Sequence, residues 1–234
     1  NEVWMLGSHP VLLWGSEDYG RRFGRNASYG GMIGFETDGP NAQKGFRDPE
    51  SPAWRLFKHK EDEYFTHEIE RFWAFFRCVG RFGYNPDADR EVWMRPFRSR
   101  FGDAAESMAE AYEAASQVVG LICASHVSNV NMYVWPEINM GGVIPLYNDI
   151  RGTDKVMFPS INEQVRAEMA GQQTGAMGAH RLAAKFNDIA EKIHSSVEEA
   201  QSQVKSPTKE FEATCADFQI LNCLSIYHAH REVE

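Results

Sequence analysis

Hydrophobic residues follow two different periods along the chain. In the first fifty or so residues, short apolar runs are separated by polar and glycine-containing stretches, whereas further on apolar residues recur every three or four positions. The first pattern is typical of buried strands and the second of amphipathic helices. We therefore predict a short β-containing part, residues 1–57, followed by an all-helical domain, residues 58–234.

The first part of the chain predicts a strand–helix–strand unit. Val11–Trp14 is an apolar run that ends at Gly15, and Met32–Phe35 is a second run that ends at Glu36. Between them, Ser16 is a suitable helix cap and is followed by two acidic residues, which favours a helix start. A strand, a helix and a strand within about thirty residues form one βαβ unit, so the two strands should be parallel.

The second part predicts five or six helices. Pro96 should kink or end the second of them, Ser160 and Glu163 have the spacing of a capping box, and Pro207 suits the first position of the last helix. The predicted helices cover residues 65–83, 90–100, 103–125, 160–171, 186–204 and a last one that starts at 206–207. Together with the first part, this predicts a mainly α fold that carries one parallel βαβ piece.

Composition and charge narrow the class of partner. The chain has 33 acidic and 24 basic side chains, a net charge of −9, which argues against nucleic acid as the main partner. No apolar run approaches the roughly 18 residues of a membrane helix. The four cysteines lack paired spacing and are predicted to be buried thiols, which leaves the cellular compartment open. We expect no metal site and no cofactor, and His228 and His230 are predicted to be exposed helix residues.

Glu36 and Asp38 are the predicted catalytic residues. They stand two positions apart at the end of a predicted strand, so their side chains would face the same side of a sheet. Ligands bind at the carboxyl ends of parallel strands, and a carboxylate pair there suits acid/base chemistry on a sugar. The alternative is that Asp38 caps the turn at Gly39 and that Glu36 is a solvated strand end.

Four further residues are predicted to bind substrate. Trp14 ends the other strand of the unit and would lie beside Glu36, where an indole ring can stack on a sugar; a core position is the alternative. Trp135, Glu137 and Asn139 belong to a long irregular segment inside the helical domain, and such segments are often functional. That segment can equally wrap the helices, with Trp135 as a core anchor.

Several stretches resemble a family of carbohydrate-active enzymes. His9–Tyr19 with Gly34–Pro40 resembles the last strand–helix–strand of a barrel in bacterial glycoside hydrolases of the α-glucuronidase-like kind. Arg71–Arg77 with Gly83–Pro86 is similar to the helical domain that follows the barrel in those enzymes. Trp135–Gly142 is similar to a later part of that domain.

The resemblance implies hydrolysis of polysaccharides or oligosaccharides by paired carboxylates at the end of a (β/α)8-type barrel. Glu36 and Asp38 are the positions that match such carboxylates here. A barrel of this type takes about 250 residues, and an isolated parallel pair of strands is unstable. We therefore expect the chain to be the C-terminal portion of a longer enzyme. The rival hypotheses are a non-catalytic helical module for homo-oligomerisation or partner binding, based on the aromatic face of Phe65–Phe76, and a small-molecule sensor built around Trp135.

Overall fold

A computed structural model describes residues 12–27, 29–35, 57–126, 148–172 and 175–233. The described residues form helices and connecting segments, and no strand occurs among them. The helices are α1 Glu17–Asn26, α2 Glu68–Arg71, α3 Trp73–Tyr84, α4 Glu91–Phe101, α5 Ala105–His126, α6 Ile161–Met169, α7 Ala179–Gln203 and α8 Lys209–Val233. Short 3-10 turns occur at Tyr29–Gly31, Lys60–Asp62 and Gly102–Ala104.

The predicted parallel βαβ piece is wrong. Neither the described part of Val11–Trp14 nor Met32–Phe35 forms a strand, so this part of the chain gives no support for the end of a TIM-type barrel. The first run is buried, but it is covered by helices and not by a sheet. At its end, the backbone N–H of Gly15 donates a hydrogen bond to Ser116 Oγ of α5 at 2.8 Å, whereas in a sheet it would bond a neighbouring strand. In the second run Ile33 is fully exposed, so that run lacks the burial that a core strand requires.

Helix α1 begins where the sequence predicts and packs closely on α3. The hydroxyl of Ser16 accepts a hydrogen bond from the N–H of Tyr19, which is an N-cap. Gly20 and Gly24, four positions apart, face α3: a Cβ at Gly20 would overlap the Sγ of Cys78, and one at Gly24 would overlap the carbonyl oxygen of Phe82. These two glycines allow the two helices to approach each other.

Helix α4 does not end at Pro96, although Pro96 lies inside it. Proline removes one backbone hydrogen bond, but the aromatic side chains on both sides of it are buried in one cluster. Trp73 of α3 contacts Phe97 at 5.0 Å and Phe101 at 6.4 Å between ring centroids. This packing on the C-terminal side of Pro96 stabilises the last turn of the helix, so α4 extends to the end of the predicted range 90–100.

The caps of the later helices agree with the sequence in part. Ser160 and Glu163 form the predicted capping box at the start of α6, and the chain turns beyond that helix at Gly171, which has φ +68°. The last helix begins slightly later than the sequence predicts. Thr208 accepts a hydrogen bond from the N–H of Phe211 at 3.2 Å, so α8 begins after Thr208.

The chain divides into two compact units. The first joins the described residues up to Ser116 with Ile193–Ile220, and the second joins the described residues between Gln117 and Lys192 with those from Leu221 onward. The predicted domain boundary after residue 57 lies within the first unit and stays a prediction. Fully buried aromatic side chains form the core of the first unit: Phe72, Phe75, Phe82, Phe97, Tyr112 and Phe218. Across the described ranges, no helix is both long and apolar enough to cross a membrane.

Candidate functional site

Of the residues predicted to bind substrate, Trp14 is the one that lies in the described part of the chain. Its half-buried ring makes edge contacts with Tyr19 of α1, at 5.4 Å, and with Phe75 of α3, at 5.8 Å. Tyr19 in turn stacks on Phe23 at 6.1 Å. The ring of Trp14 is therefore fixed at the edge of an aromatic cluster and remains partly accessible. Its role as a sugar platform stays a prediction.

A partly buried carboxylate of α5 holds the start of α1, close to Trp14 along the chain, and the sequence analysis did not single it out. Glu113 of α5 accepts hydrogen bonds from Ser16 Oγ at 2.5 Å and from the N–H of Asp18 at 3.4 Å. Burial raises the pKa of Glu113, and these hydrogen bonds oppose that shift. The carboxylate satisfies the N-terminal end of α1 and so holds the backbone next to Trp14. A polar residue on the inner face of an Ala-rich helix was the signal for it.

The other predicted site residues lie outside the described residues: Glu36, Asp38, Trp135, Glu137 and Asn139. Their roles therefore stay predictions. The sequence analysis placed Glu36 next to Trp14 because it predicted a pair of parallel strands. No strand occurs in the described backbone, so that reason for expecting the two residues to be close no longer holds.

A buried ion pair joins α2 and α8 in the first unit. Arg71 Nη2 donates to Asp217 Oδ2 at 2.7 Å, and both side chains are almost completely buried. Burial raises the pKa of Asp217 to about 6, although the charge and the hydrogen bond of Arg71 act in the opposite direction. The guanidinium also lies over the rings of Phe57 and Phe72, at 5.6 and 5.4 Å. This pair fixes the packing of α2 on α8.

Two more polar groups belong to the same unit. The hydroxyl of Tyr112 is buried and has no hydrogen-bond partner among the described residues, and burial raises its pKa well above the ordinary value. Arg100 and Glu210 form a partly buried ion pair at 2.5 Å, and Trp73 also hydrogen-bonds the carboxylate of Glu210. The aromatic core of the first unit therefore encloses charged and phenolic groups.

A histidine–carboxylate cluster occupies the interior of the second unit. His126, the last residue of α5, hydrogen-bonds Glu232 of α8 through Nε2, and His228 stacks on His126 with a centroid distance of 6.0 Å. All three side chains are buried. Burial, the charge of His126 and that of Arg231 lower the pKa of His228 to about 3, so its imidazole is neutral at pH 7.

The prediction that His228 is exposed is wrong, whereas His230 is exposed as predicted. The sequence did contain a signal for the burial of His228. The apolar stripe of α8 continues beyond Leu221 at helical spacing onto Ser225, His228 and Glu232. Ser225 Oγ donates to the carbonyl oxygen of Phe186 at 2.7 Å, so polar side chains continue the buried face by hydrogen bonding.

None of these clusters is suited to bind a metal ion. Within the described residues, no group of three or more histidine, cysteine, aspartate or glutamate side chains could hold one. The thiol of Cys78 donates to the carbonyl oxygen of Ser16 at 2.9 Å, and burial raises its pKa to about 12. A thiol with that pKa is not a nucleophile at neutral pH.

Comparison with known proteins identifies a likeness of fold. No family model and no curated protein match the sequence. Among solved structures, the chain is similar to one described as a GH138 enzyme targeting pectin rhamnogalacturonan II, with a TM-score of 0.71 and 12% sequence identity. The likeness covers 97% of this chain and 28% of that protein, so this chain spans little more than a quarter of its length.

The likeness confirms the sequence resemblance in its coarse form. The fold of this chain is similar to part of a glycoside hydrolase. The comparison does not show the α-glucuronidase-like kind, and at 12% identity it concerns the fold alone.

Proposed function

We propose that this chain is part of a carbohydrate-active enzyme that hydrolyses glycosidic bonds. The observation that supports the proposal is the fold likeness to a glycoside hydrolase over 97% of the chain. Because the chain corresponds to 28% of that enzyme, the rest of the catalytic machinery would come from a longer polypeptide. The substrate class is a polysaccharide of the pectic kind that the similar enzyme targets.

The residues take the following roles in this proposal. Glu36 and Asp38 act in acid/base chemistry or orient the substrate, and Trp14 stacks on a sugar ring. Trp135 and its neighbours Glu137 and Asn139 contact the glycan. The position of the Trp14 ring supports its role, since contacts with Tyr19 and Phe75 hold it in place while part of it stays accessible.

The helical part of the molecule would serve as a rigid support. The buried Arg71–Asp217 pair joins α2 to α8, and the carboxylate of Glu113 joins α5 to the start of α1. A binding side chain needs such support, because misplacement by about 0.5–1 Å lowers catalysis. Glu113 in particular holds the hydroxyl of Ser16 and the backbone N–H of Asp18, which follow Trp14 closely in the chain.

The test uses the natural full-length polypeptide with pectin rhamnogalacturonan II and a panel of other pectic polysaccharides. We expect release of sugar from at least one of them, and a fall in kcat of at least about 100-fold for Glu36→Gln or Asp38→Asn. Glu63→Gln, which neutralises an exposed carboxylate, is the matched control and should keep kcat. Full activity in both variants would contradict the catalytic roles of Glu36 and Asp38. Failure of the parent protein to cleave any of the glycans would contradict the proposal that it is an enzyme.

A second candidate function is a non-catalytic module for partner binding or homo-oligomerisation. A groove of about 480 Å³ in the first unit favours it, because its lining includes the exposed side chains of Ile33 and Tyr84 together with Gly80 and Gly83. Light scattering over a wide range of protein concentration tests this function. A constant monomer mass would contradict self-association, and an Ile33→Ser variant should lower the mass of any oligomer seen.

A further inference from the structure

The outward face of α8 carries large apolar side chains. Ile220, Ile226, Tyr227 and Val233 are each between 38% and 53% exposed, and Cys223 is exposed among them. The opposite side of the same helix is buried in the core. A helix that is apolar on both sides is normally covered on both sides, and grouped exposed apolar side chains mark a surface that contacts another molecule.

Charged residues do not occur on this face. In α8, which the structure describes throughout, the exposed positions between Glu212 and Arg231 carry no Asp, Glu, Lys or Arg. The exposed positions of α7 show the usual pattern and include Lys185, Asp188, Glu191, Glu198 and Glu199. Because the chain has a net charge of −9, a charged face would oppose contact between two copies of it. The outward face of α8 avoids that repulsion.

The outward positions of α8 have the spacing of a helix–helix contact. Intervals of four and three residues alternate along Ala216, Ile220, Cys223, Tyr227 and His230. That repeat keeps its side chains on one side of a helix, where a second helix can pack at an interaxial distance of about 8–10 Å. We call these five residues the α8 seam.

We propose that the α8 seam binds the α8 seam of a second copy of this chain, with the two helices antiparallel. A dimer with two-fold symmetry uses the same surface patch on both copies, so the patch has to fit itself. Antiparallel pairing in this spacing places Ala216 opposite Tyr227 of the second copy, a small side chain against a large one. It also places Ile220 opposite Cys223 of the second copy, and each match occurs twice.

The charges at the two ends of α8 favour the antiparallel arrangement. The first turn carries Glu210 and Glu212, and the last turn carries His230 and Arg231. Antiparallel pairing brings the acidic end of one helix next to the basic end of the other, whereas parallel pairing would bring like charges together. A contact along one helix is smaller than a standard protein interface, so we expect a weak and reversible dimer.

Sedimentation of the natural full-length polypeptide over a wide concentration range tests the proposal. We expect an equilibrium between monomer and dimer. Tyr227→Glu should weaken the dimer at least about tenfold, because it puts a carboxylate into an apolar contact twice. Met169→Glu adds the same charge at an exposed apolar position of α6, so it is the matched control and should leave the dimer unchanged.

A second substitution tests the orientation of the two helices. Ala216→Lys, added to Tyr227→Glu in the same chain, puts an ammonium group opposite the new carboxylate of the second copy if the helices are antiparallel. Its affinity should then be about tenfold higher than that of Tyr227→Glu alone. In a parallel dimer the same pair of substitutions would bring like charges together, and a further loss of affinity would contradict the proposal.

Chemical cross-linking gives a measurement that does not depend on the folding of a charged variant. A short bis-maleimide should join two copies of the parent protein through Cys223, which belongs to the α8 seam and is exposed. Cys223→Ser should abolish the cross-linked dimer. Cys123→Ser, at a less exposed cysteine outside the seam, is the control and should keep it.

The proposal gives homo-oligomerisation, the second candidate function, a specific surface, and it does not require hydrolytic activity. A constant monomer mass with Cys223 protected from alkylation would assign the face to another part of the polypeptide and overturn it. A dimer that Ile33→Ser dissociates and Tyr227→Glu does not would assign self-association to the groove beside Ile33, with the same consequence. These results concern association, so they are distinguishable from a failure of the catalytic test on Glu36 and Asp38.

Discussion

The two compact units each enclose charged groups, but burial acts on them in opposite directions. In the first unit it raises the pKa of Asp217 to about 6, and in the second it lowers the pKa of His228 to about 3. In both cases the neutral form is favoured, because a charge loses its hydration inside the protein. Arg71 limits the effect on Asp217, whereas the charged neighbours of His228 increase it. One physical cause thus gives the two units opposite responses to acid.

The largest expected effect comes from breaking the ion pair of the first unit. Arg71→Met leaves the carboxylate of Asp217 buried beside an apolar side chain, and the free energy of unfolding should fall by about 3–5 kcal/mol. Urea denaturation at pH 7 measures it. The control is Arg25→Met, which breaks the exposed Arg25–Asp87 pair and should cost less than about 1 kcal/mol. Equal losses in both variants would contradict the structural role of the buried pair.

A smaller effect concerns acid and the second unit. The pKa of His228 is lower in the folded state than its ordinary value of 6.5, so the unfolded chain binds more protons between about pH 6.5 and pH 3. Its contribution to stability is present above pH 6.5 and is lost as pH falls through this range, by up to about 1.4 kcal/mol per pH unit. Comparison of the parent with His228→Phe from pH 7 to pH 5 isolates this slope.

If phenylalanine packs imperfectly at position 228, the His228→Phe variant is less stable than the parent at every pH. The readout is therefore the slope of the unfolding free energy against pH, and not the free energy at one pH. Parallel curves for the variant and the parent would show that His228 is not a neutral buried group in the folded protein.

The smallest expected effect is the contribution of Asp217, in the first unit, to the pH dependence of stability, which has the opposite sign to that of His228. The folded pKa of Asp217 is raised, so its contribution is fully present below the ordinary value of 3.8 and is lost as pH rises toward about 6. Between about pH 4 and pH 6 it therefore partly cancels the slope of His228. Asp217→Asn should make the acid sensitivity of the parent steeper over that range, as measured by urea denaturation at a series of pH values. An unchanged slope would mean that Arg71 keeps Asp217 ionised throughout.

Local signals in the sequence predicted much of the helical structure. Ser16 caps α1, and Ser160 with Glu163 caps α6, because each cap depends on side chains within three residues of the helix end. The predicted strands failed because an apolar run of four residues can be buried equally well by a sheet or by helices. Gly15 hydrogen-bonds Ser116, about a hundred residues away, and no local pattern contains that contact.

The candidate site was predictable to a smaller degree. Trp14 was identified by residue type and by its place at the end of an apolar run, and its contacts with Tyr19 and Phe75 required the structure. Glu113 and His228 were missed because the sequence alone does not distinguish a polar residue that hydrogen-bonds another helix from one that faces solvent.

Residue types and near neighbours were enough to specify where most helices lie, that the chain is acidic, and that it resembles a glycoside hydrolase. These properties depend on contacts within one or two helical turns or on composition alone. The packing of whole helices, in contrast, covers the apolar run before Gly15, buries His228 and leaves Ile33 exposed. These features depend on residues far apart in the chain, so local patterns do not contain them.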